Sequence, residues 1–541
     1  MDKYSSIVND ANFSTLSLKA ASHPKALVHW ENLLNYLITK ASPLNKTLEP
    51  SIYNLIKSTY DSMLYNFPYL ENYYIDYALF EYKLGNISRV HKVYQQGLRS
   101  FNERSLHLWI SYLKICNEVI SNHKQLFKLY QKAESLIGLH FMSGEFWEMY
   151  LNQIRDRCLT NERYFTVLRK VIEIPLHSFS KFYALWLHCI DDITDLIQLT
   201  RIAPKEELLK RLKIDTSFQG RKGPYLADAK KLLRKSTKEL YMTVQHQVLE
   251  IYSLFESKLH INYYCSAETL IPAEEIATWD SYLTYTINLR IDALIELNFQ
   301  RALTCLVHYD SVWIKYAHWL IEYKEDLSSA KNVLLRALSL SHKKTAIVRL
   351  LYSVLCKLKD YELLDFILEK EENFYATDVE LTDDFEIFWD FIQFRIFCAN
   401  SRLQTRFETQ SDQLMPPKVF DIILRRLSHG ESRKGQELLL SSLLQFQSKT
   451  NTAILETKIF KHIIEADWTF YLRDGCFWYL YCKLIFFEPT RTYLEKRRYI
   501  VGEIWEKAKK YGTAVLPKLR HFCQSYIPED LDLLEDLFES S

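Results

Sequence analysis

A recurring pair of aromatic residues, three positions apart, is the feature that most constrains how this chain folds. Six of these pairs, in which tryptophan or tyrosine is followed by tyrosine, mark the starts of repeats: Tyr74 and Tyr77, Trp109 and Tyr112, Trp147 and Tyr150, Trp279 and Tyr282, Trp313 and Tyr316, and Trp478 and Tyr481. The aromatic starts at 74, 109, 147 and 186 lie 35, 38 and 39 residues apart, and those at 279 and 313 lie 34 apart. A period of about 34–40 residues is typical of solenoids built from helix–turn–helix repeats.

A spacing of three residues places two rings on one face of an α-helix, where both can pack against a neighbouring helix. The clearest repeat starts at Tyr74, turns at Gly85-Asn86 and continues with small or apolar residues at helical spacing up to Leu98. The functional alternative is that these rings form a row on which the bases of single-stranded RNA stack. The regular placement of the rings inside helix pairs favours a packing role over this alternative. We therefore predict that the following residues form the packing core of the repeats: Trp30, Tyr74, Tyr77, Trp109, Tyr112, Trp147, Tyr150, Trp186, Trp279, Tyr282, Trp313, Tyr316, Trp389, Trp478 and Tyr481.

The composition points to helices as well. Glycine accounts for only 11 of the 541 residues, whereas aromatic residues reach 14%. Scarce glycine leaves little material for β-turns, strand bends and phosphate-binding loops, so long helices joined by short turns are expected. The chain also exceeds the roughly 250–300 residues at which a single hydrophobic core stops growing. We predict an all-α fold that consists of two or more domains or of a repeat array.

The repeat register lapses between Trp186 and Trp279, and this interval contains the predicted domain boundary. We divide the chain into an N-terminal repeat domain (1–200), a basic linker (201–225) and a C-terminal repeat domain (226–541). A long helix is expected over about 227–258. Residues 371–386 and 401–417 read as loops, because the first segment is rich in acidic residues and the second ends in two prolines. The acidic end, 528–539, reads as an amphipathic helix.

The strongest local charge lies in residues 201–240, with twelve lysines and arginines against five acidic residues, a net of +7. The chain as a whole carries a net charge of only +1, which makes general coating of nucleic acid by charge an unsuitable explanation. The tract can contact phosphates or an acidic partner segment, or it can be a solvated linker and helix face. The candidate partner or RNA contacts are Arg221, Lys222, Lys230, Lys231, Arg234 and Lys235.

Motifs for catalysis and metal binding are missing from the sequence. Gly220-Arg221-Lys222-Gly223 lacks the spacing and the Lys-Ser/Thr ending of a phosphate-binding loop. Neither a Gly-x-Ser-x-Gly elbow nor a His-Glu-x-x-His pair occurs, and no cysteine–histidine set has zinc-ligand spacing. We predict that the protein is not an enzyme and takes no cofactor and no metal.

The repeat pattern resembles the half-a-TPR (HAT) repeat, which reads Trp-x-x-Tyr-x-x-(Phe/Tyr)-Glu before a Gly-Asn turn; residues 74–98 match it nearly position for position. A tetratricopeptide repeat would carry glycine or alanine where this chain has Leu113, Leu151 and Leu283, although Ala317 is an exception. Longer segments, among them FPYLENYYIDYALFEYKLGN (67–86), SGEFWEMYL (143–151) and DDFEIFWDF (383–391), are similar to the pre-mRNA-processing factor 39/42 family.

This resemblance implies a right-handed solenoid of HAT repeats in two arched halves. It also implies a non-enzymatic, nuclear scaffold of the U1 small nuclear ribonucleoprotein that supports 5′ splice-site recognition in pre-mRNA splicing. The implied partners are a factor 39-like HAT protein, bound through the C-terminal repeats as a heterodimer or replaced by self-association, and U1 proteins that include the zinc-finger C protein. Contact with U1 RNA would be mostly indirect, and no membrane is involved. The alternatives are a HAT scaffold of mRNA 3′-end processing and a tetratricopeptide-like peptide-binding adaptor.

Overall fold

A computed structural model describes residues 3–158, 162–216, 222–377, 385–404, 416–429, 433–446 and 449–539. Over these ranges the regular structure consists of α-helices, short 3₁₀ turns and two π-helical segments, with no β-strand. The predicted all-α fold is therefore confirmed. Within the same ranges, no helix combines the length and the apolar character that crossing a membrane requires.

The chain divides into two compact units, the first formed by Met1–Trp319 with Ser339–His342 and the second by Leu320–Leu338 with Lys343–Ser541. The predicted linker, 201–225, lies within the first unit, and the assignment of 1–200 and 226–541 as repeat domains stays a prediction. The helices up to the boundary are α1 (Lys3–Val8), α2 (Ala11–Ser22), α3 (Leu27–Ala41), α4 (Pro50–Asn66), α5 (Glu71–Lys83), α6 (Ile87–Ser100), α7 (Leu106–Val119), α8 (His123–Ile137), α9 (Gly144–Arg157), α10 (Glu162–Ile172), α11 (Phe179–Asp191), α12 (Leu199–Ile202), α13 (Lys205–Leu212), α14 (Lys222–Leu254), α15 (Ala273–Leu289), α16 (Asp292–Leu306) and α17 (Asp310–Glu322).

The helices that follow are α18 (Leu327–Leu340), α19 (Thr345–Leu358), α20 (Tyr361–Thr377), α21 (Phe385–Gln404), α22 (Pro417–His429), α23 (Arg433–Leu443), α24 (Lys449–Leu455), α25 (Lys461–Glu465), α26 (Thr469–Leu472), α27 (Gly475–Phe486), α28 (Tyr493–Tyr499), α29 (Glu506–Lys509), α30 (Leu516–Tyr526) and α31 (Leu531–Glu539). A π-helical segment, Glu456–Phe460, joins α24 to α25 without a break, and a second, Ile500–Trp505, joins α28 to α29. Both π segments lie in the second unit.

The helix pair α5 and α6 shows how a repeat closes. The turn between them passes through Gly85, whose φ of +80° lies in the left-handed region that glycine adopts without steric cost. On α6, Gly97 lies under the ring of Tyr74, and a Cβ atom at position 97 would approach Tyr74 Cγ to 2.9 Å. The missing side chain at position 97 therefore lets the two helices approach closely.

The second aromatic residue of each signature pair packs on a ring from a preceding helical segment. The ring centroids lie between 4.6 and 5.1 Å apart in six such contacts: Tyr60 with Tyr77, Tyr94 with Tyr112, Tyr130 with Tyr150, Phe255 with Tyr282, Phe299 with Tyr316, and Phe460 with Tyr481. Rings at this distance are favourably placed beyond the area that they bury. These contacts link one helix pair to the next. The spacing of the aromatic pairs along the sequence therefore matches the repeat of packed helix pairs in the structure.

The tryptophan at the first signature position has a second role. The indole N–H donates to a carbonyl oxygen six residues earlier, at 2.7 to 2.9 Å, in four places: Trp30 to Pro24, Trp109 to Glu103, Trp313 to Val307, and Trp478 to Leu472. Each bond satisfies a carbonyl in the connection that precedes the helix, where no helical partner is available. Tryptophan thus fixes both the packing of the helix and the chain that leads into it.

Burial separates one signature residue from the others. Trp389 is half-buried, whereas the fourteen other predicted core residues are buried. Among the largest fully buried side chains are Trp109, Trp147, Trp279, Trp313 and Trp478. The predicted long helix is present as α14, followed by a 3₁₀ turn at Glu256–Lys258, and the predicted acidic terminal helix is present as α31.

The predicted loop at 371–386 is wrong at both ends, because α20 continues to Thr377 and α21 begins at Phe385. Residues 378–384 lie outside the described residues. The acidic residues that suggested a loop have partners in the fold. Tyr352 donates to Glu371 at 2.5 Å, and Glu372 pairs with Arg395 at 3.0 Å. In the second predicted loop, 401–417, residues 401–404 belong to α21, Pro417 begins α22, and 405–415 lie outside the described residues.

Candidate partner-binding surfaces

The basic tract continues into α14, a helix of 33 residues that packs along the first unit on one side only. The buried side carries Ala229, Leu233, Thr237, Val244 and Val248. This side faces α11, where the Trp186 indole N–H donates to the Thr237 hydroxyl at 3.3 Å, and the Tyr183 and Tyr241 rings lie 4.3 Å apart. The opposite side of α14 is exposed.

The six candidate contacts of the tract fall into three groups. Lys230 donates to the carbonyl oxygen of Asp191 at 2.7 Å, and Arg234 forms an ion pair with the Asp191 carboxylate, so both side chains fasten α14 to the end of α11. Lys231 and Lys235 are exposed. Lys222 begins α14, and Arg221 lies outside the described residues. Two of the six side chains are therefore structural, and the exposed pair is available to a partner.

A cavity of about 530 Å³ lies within the first unit and was not expected from the sequence. Its lining includes Glu71, Arg104, His140, Gln300 and Arg301. The cavity brings together residues almost 200 positions apart, and no local sequence pattern predicts such a contact. For example, the Arg104 guanidinium donates to the carbonyl oxygen of Ala293 at 3.2 Å. The fold, and not the repeat signature, creates this cavity.

The charged groups of this cavity are largely neutralised by one another. Arg301 makes two hydrogen bonds to the Glu256 carboxylate, at 2.8 and 3.0 Å, and Arg104 forms an ion pair with Glu296. Burial, together with the positive charge of Arg301, holds the pKa of His140 well below its usual value, so this imidazole is neutral at pH 7. The cavity therefore offers hydrogen-bonding groups and little net charge.

An aromatic patch on the second unit is a further surface that sequence reasoning missed. Phe486 lies at the end of α27, with its ring 5.1 Å from that of Tyr526 and 6.3 Å from that of Tyr493. The neighbouring Phe487 is 50% exposed and Leu494 is 61% exposed. Phe486 and Phe487 form an aromatic doublet where α27 ends. This doublet was the available signal.

A cluster of metal-type ligands also occurs in the second unit. Glu437, Asp474 and Cys476 place one ligand atom each within 4.8 Å of the others. Asp474 already serves the fold, since its carboxylate accepts the backbone N–H of Cys476 at 3.0 Å and caps the start of α27. This helix cap explains why Asp474 and Cys476 lie together.

Two family models match separate parts of the chain. The family described as the PRP39 N-terminal HAT repeat matches residues 15–188, and the PRP39 C-terminal HAT repeat matches residues 252–377. The U1 small nuclear ribonucleoprotein component PRP42 of Saccharomyces cerevisiae is 58% identical over 540 residues, which is 99% of both chains. Pre-mRNA-processing factor 39 of Schizosaccharomyces pombe is 20% identical over 61% of this chain and 55% of its own.

Among solved structures, CstF-77 aligns with a TM-score of 0.39 and 12% identity, over 84% of this chain and 95% of that one. The sequence relatives decide the family, because the identity to PRP42 extends over nearly the whole of both chains and two PRP39 repeat families match in order. This chain belongs to the PRP39 family of HAT-repeat proteins.

Proposed function

We propose that this protein is a non-enzymatic scaffold of the U1 small nuclear ribonucleoprotein in pre-mRNA splicing. The observation that carries the proposal is the 58% identity, over 99% of both chains, to a named component of that particle. Relatives named as pre-mRNA-processing factor 39 support the same process. The site of action is then the nucleus.

The fold supports a scaffold, because each helix pair presents outer faces while its aromatic residues are occupied with packing. The basic side of α14 and the aromatic patch on the second unit are separate surfaces of different chemistry. A protein with two such surfaces can hold two different partners at once. Within this proposal, the N-terminal repeats contact U1 proteins such as the zinc-finger C protein and support 5′ splice-site recognition, and contact with U1 RNA is mostly indirect.

The aromatic patch is the surface that we assign to a second HAT protein. The rings of Phe487 and Tyr493 both lie beside Phe486 and are 50% and 44% exposed, and Leu494, next to Tyr493 in the sequence, is 61% exposed. Exposed apolar patches mark protein interaction sites. Their position in the predicted C-terminal repeat domain agrees with pairing through the C-terminal repeats. A factor 39-like protein is the proposed partner, and a second copy of this chain is the alternative occupant.

The scaffold proposal is tested by tagging the protein in its own cells, purifying it at moderate salt, and identifying the bound RNA and proteins. We expect U1 RNA together with a factor 39-like protein. Recovery of mRNA cleavage factors without U1 RNA would move the protein to 3′-end processing. Recovery of neither RNA nor splicing proteins would contradict the proposal.

The dimer surface is tested with the double variant Phe487→Ser, Leu494→Ser. Removing two apolar side chains from the patch should lower recovery of the factor 39-like protein by about tenfold or more, since central apolar residues dominate such interfaces. The matched control is Leu18→Ser, Leu270→Ser, which alters two exposed leucines of the first unit. Equal recovery of the partner with both double variants would exclude the patch from the dimer interface.

A further inference from the structure

The exposed side of α14 carries a stripe that changes character along its length. Lys231, Lys235 and Lys238 are followed by Met242 and Leu249, at steps of four, three, four and seven residues. These steps return to the same side of a helix, so the five side chains form one line. Met242 and Leu249 are each 57% exposed.

The lysines and arginines of α14 are confined to its first half. Residues 222–238 contain six lysines and arginines and one acidic residue, whereas 239–254 contain two glutamates and no lysine or arginine. Lys230 and Arg234 both bind Asp191, the first through its carbonyl oxygen and the second through its carboxylate. Lys231, Lys235 and Lys238 form no ion pair within the part of the chain that the structure covers. The stripe therefore begins with three unneutralised cations and ends with an apolar surface.

We propose that this stripe binds a segment of a partner protein that has acidic side chains over one half and apolar side chains over the other. The inference rests on the proposed scaffold function and names the chemistry of one of its partners. Carboxylates would pair with the three lysines, and the apolar half would remove Met242 and Leu249 from water. From 231 to 249 the helix rises about 27 Å, so a helical segment of about 18 residues covers the stripe.

A protein segment suits this surface better than RNA does. A phosphate backbone carries negative charge along its whole length. It would pair with the lysines, but it would find no cationic partner along 239–254, which contain two glutamates and no lysine or arginine. The apolar half is thus the feature that selects a polypeptide.

The acidic C-terminal helix of this chain, α31, is a poor occupant, because its nine residues rise only about 14 Å and cannot cover a stripe of about 27 Å. The Asp530 carboxylate accepts two hydrogen bonds from Arg497, at 2.5 and 2.6 Å. Glu529 accepts a hydrogen bond from Tyr493, and Glu535 pairs with Arg520 at 2.8 Å. These contacts also hold the residues that precede and begin α31 within their own chain. We therefore assign the stripe to a different protein.

The experiment places a photo-reactive benzoylphenylalanine at position 235 in one full-length version and at position 249 in another, each expressed in the cells of origin and purified as the assembled particle. The proposal expects both positions to crosslink to one protein, with acidic residues at the 235 adduct and apolar residues at the 249 adduct. Crosslinking to RNA at position 235, or no protein adduct at either position, would overturn it. Recovery of U1 RNA is scored separately, so failure of the scaffold proposal is distinguishable.

The crosslinked protein is then measured in particles from the variant Lys231→Glu, Lys235→Glu, Lys238→Glu and from Met242→Ser, Leu249→Ser. Both variants should lower its recovery by about tenfold or more, and the charge variant alone should show an altered salt dependence. The matched control is Lys92→Glu, Lys124→Glu, Lys128→Glu, which reverses three exposed lysines on α6 and α8. The same recovery from the charge variant and its control, with unchanged thermal melting, would overturn the proposal.

Discussion

Glu256 in the first unit and Glu456 in the second are both buried carboxylates beside a signature tyrosine, yet the groups around them differ. Glu256 accepts from Tyr282 at 3.0 Å and receives both its ionic bonds from one residue, Arg301. The Arg301 side chain is itself only 10% exposed, and its guanidinium lies 5.4 Å from the Trp279 ring. We call each of these buried glutamates, together with the cations that bind it, a clamp. In the first unit the clamp is a single buried ion pair between Glu256 and Arg301.

In the second unit the same role is shared among several donors. Glu456 lies in a π-helical segment and accepts from Tyr481 at 3.3 Å and from Tyr499 at 2.5 Å. Lys461 and Arg491 reach its carboxylate at 3.0 and 3.5 Å, and their side chains are 35% and 30% exposed. Because these cations retain contact with water, each depends less on Glu456 than Arg301 depends on Glu256. The two units therefore share the same packing of signature aromatic residues but surround their buried glutamates with different hydrogen-bond donors and cations.

The largest expected effect tests whether the signature tryptophans stabilise the two units equally. Trp109→Ala in the first unit and Trp478→Ala in the second should each lower the free energy of unfolding of their own unit by about 3–5 kcal/mol, since each removes a buried indole and its hydrogen bond. Native-state hydrogen exchange reads the two units separately. Trp389→Ala, at a half-buried position, is the control and should cost less. A clearly unequal loss between Trp109→Ala and Trp478→Ala would break the equivalence.

The next effect tests the difference between the two clamps. Glu256→Gln leaves the buried Arg301 guanidinium without its counter-charge and should cost the first unit about 3 kcal/mol. Glu456→Gln should cost the second unit only about 1–2 kcal/mol, because Lys461 and Arg491 can turn to water. Hydrogen exchange measures both losses. A larger loss for Glu456→Gln than for Glu256→Gln would reverse the comparison.

Acid should release both clamps, and the direction follows from their pKa values. Burial alone would raise the pKa of Glu256, but the charge and hydrogen bonds of Arg301 outweigh it and lower the pKa below 4.5. The pKa of Glu456 is likewise lowered, since the hydrogen bonds of Tyr499 and Lys461 prevail over burial. A lowered folded-state pKa contributes stability above about pH 4.5 that is lost as the pH falls through it. Stability profiles between pH 6 and 3 should therefore be flatter in Glu256→Gln and Glu456→Gln than in the parent.

The smallest effect compares two helical glycines, Gly97 in the first unit, where two helices approach closely, and Gly502 in the second unit, where the space around a Cβ atom would be open. Gly97→Ala places a Cβ atom 2.9 Å from Tyr74 Cγ and should cost about 1–3 kcal/mol. Gly502→Ala meets no atom within 4 Å and lies inside a helical segment, so it should be neutral or stabilise by up to about 1 kcal/mol. Urea unfolding followed by hydrogen exchange compares them. Loss of stability in Gly502→Ala would show that the second π segment is packed more tightly than the structure indicates.

The period and the spacing of aromatic residues were sufficient to predict the helices, the turn at Gly85 and the burial of Trp109 and Trp478. These properties are local, since a spacing of three residues on a helix places two rings together whatever the rest of the chain does. The predicted loop at 371–386 failed for the opposite reason. Glu371 is half-buried and accepts a hydrogen bond from Tyr352, a residue from another helix, and the charge pattern alone could not reveal that contact.

The sequence by itself determined the all-α repeat, the tryptophan and tyrosine positions that pack it, and the basic character of residues 201–240. Only the tertiary structure decided which lysines of that tract remain available, because Asp191 on α11 engages Lys230 and Arg234. It also decided the two clamps, since Arg301 reaches Glu256 across 45 residues and Arg491 reaches Glu456 across 35. Helical periodicity acts over a few residues, whereas these contacts depend on which helices the fold brings side by side.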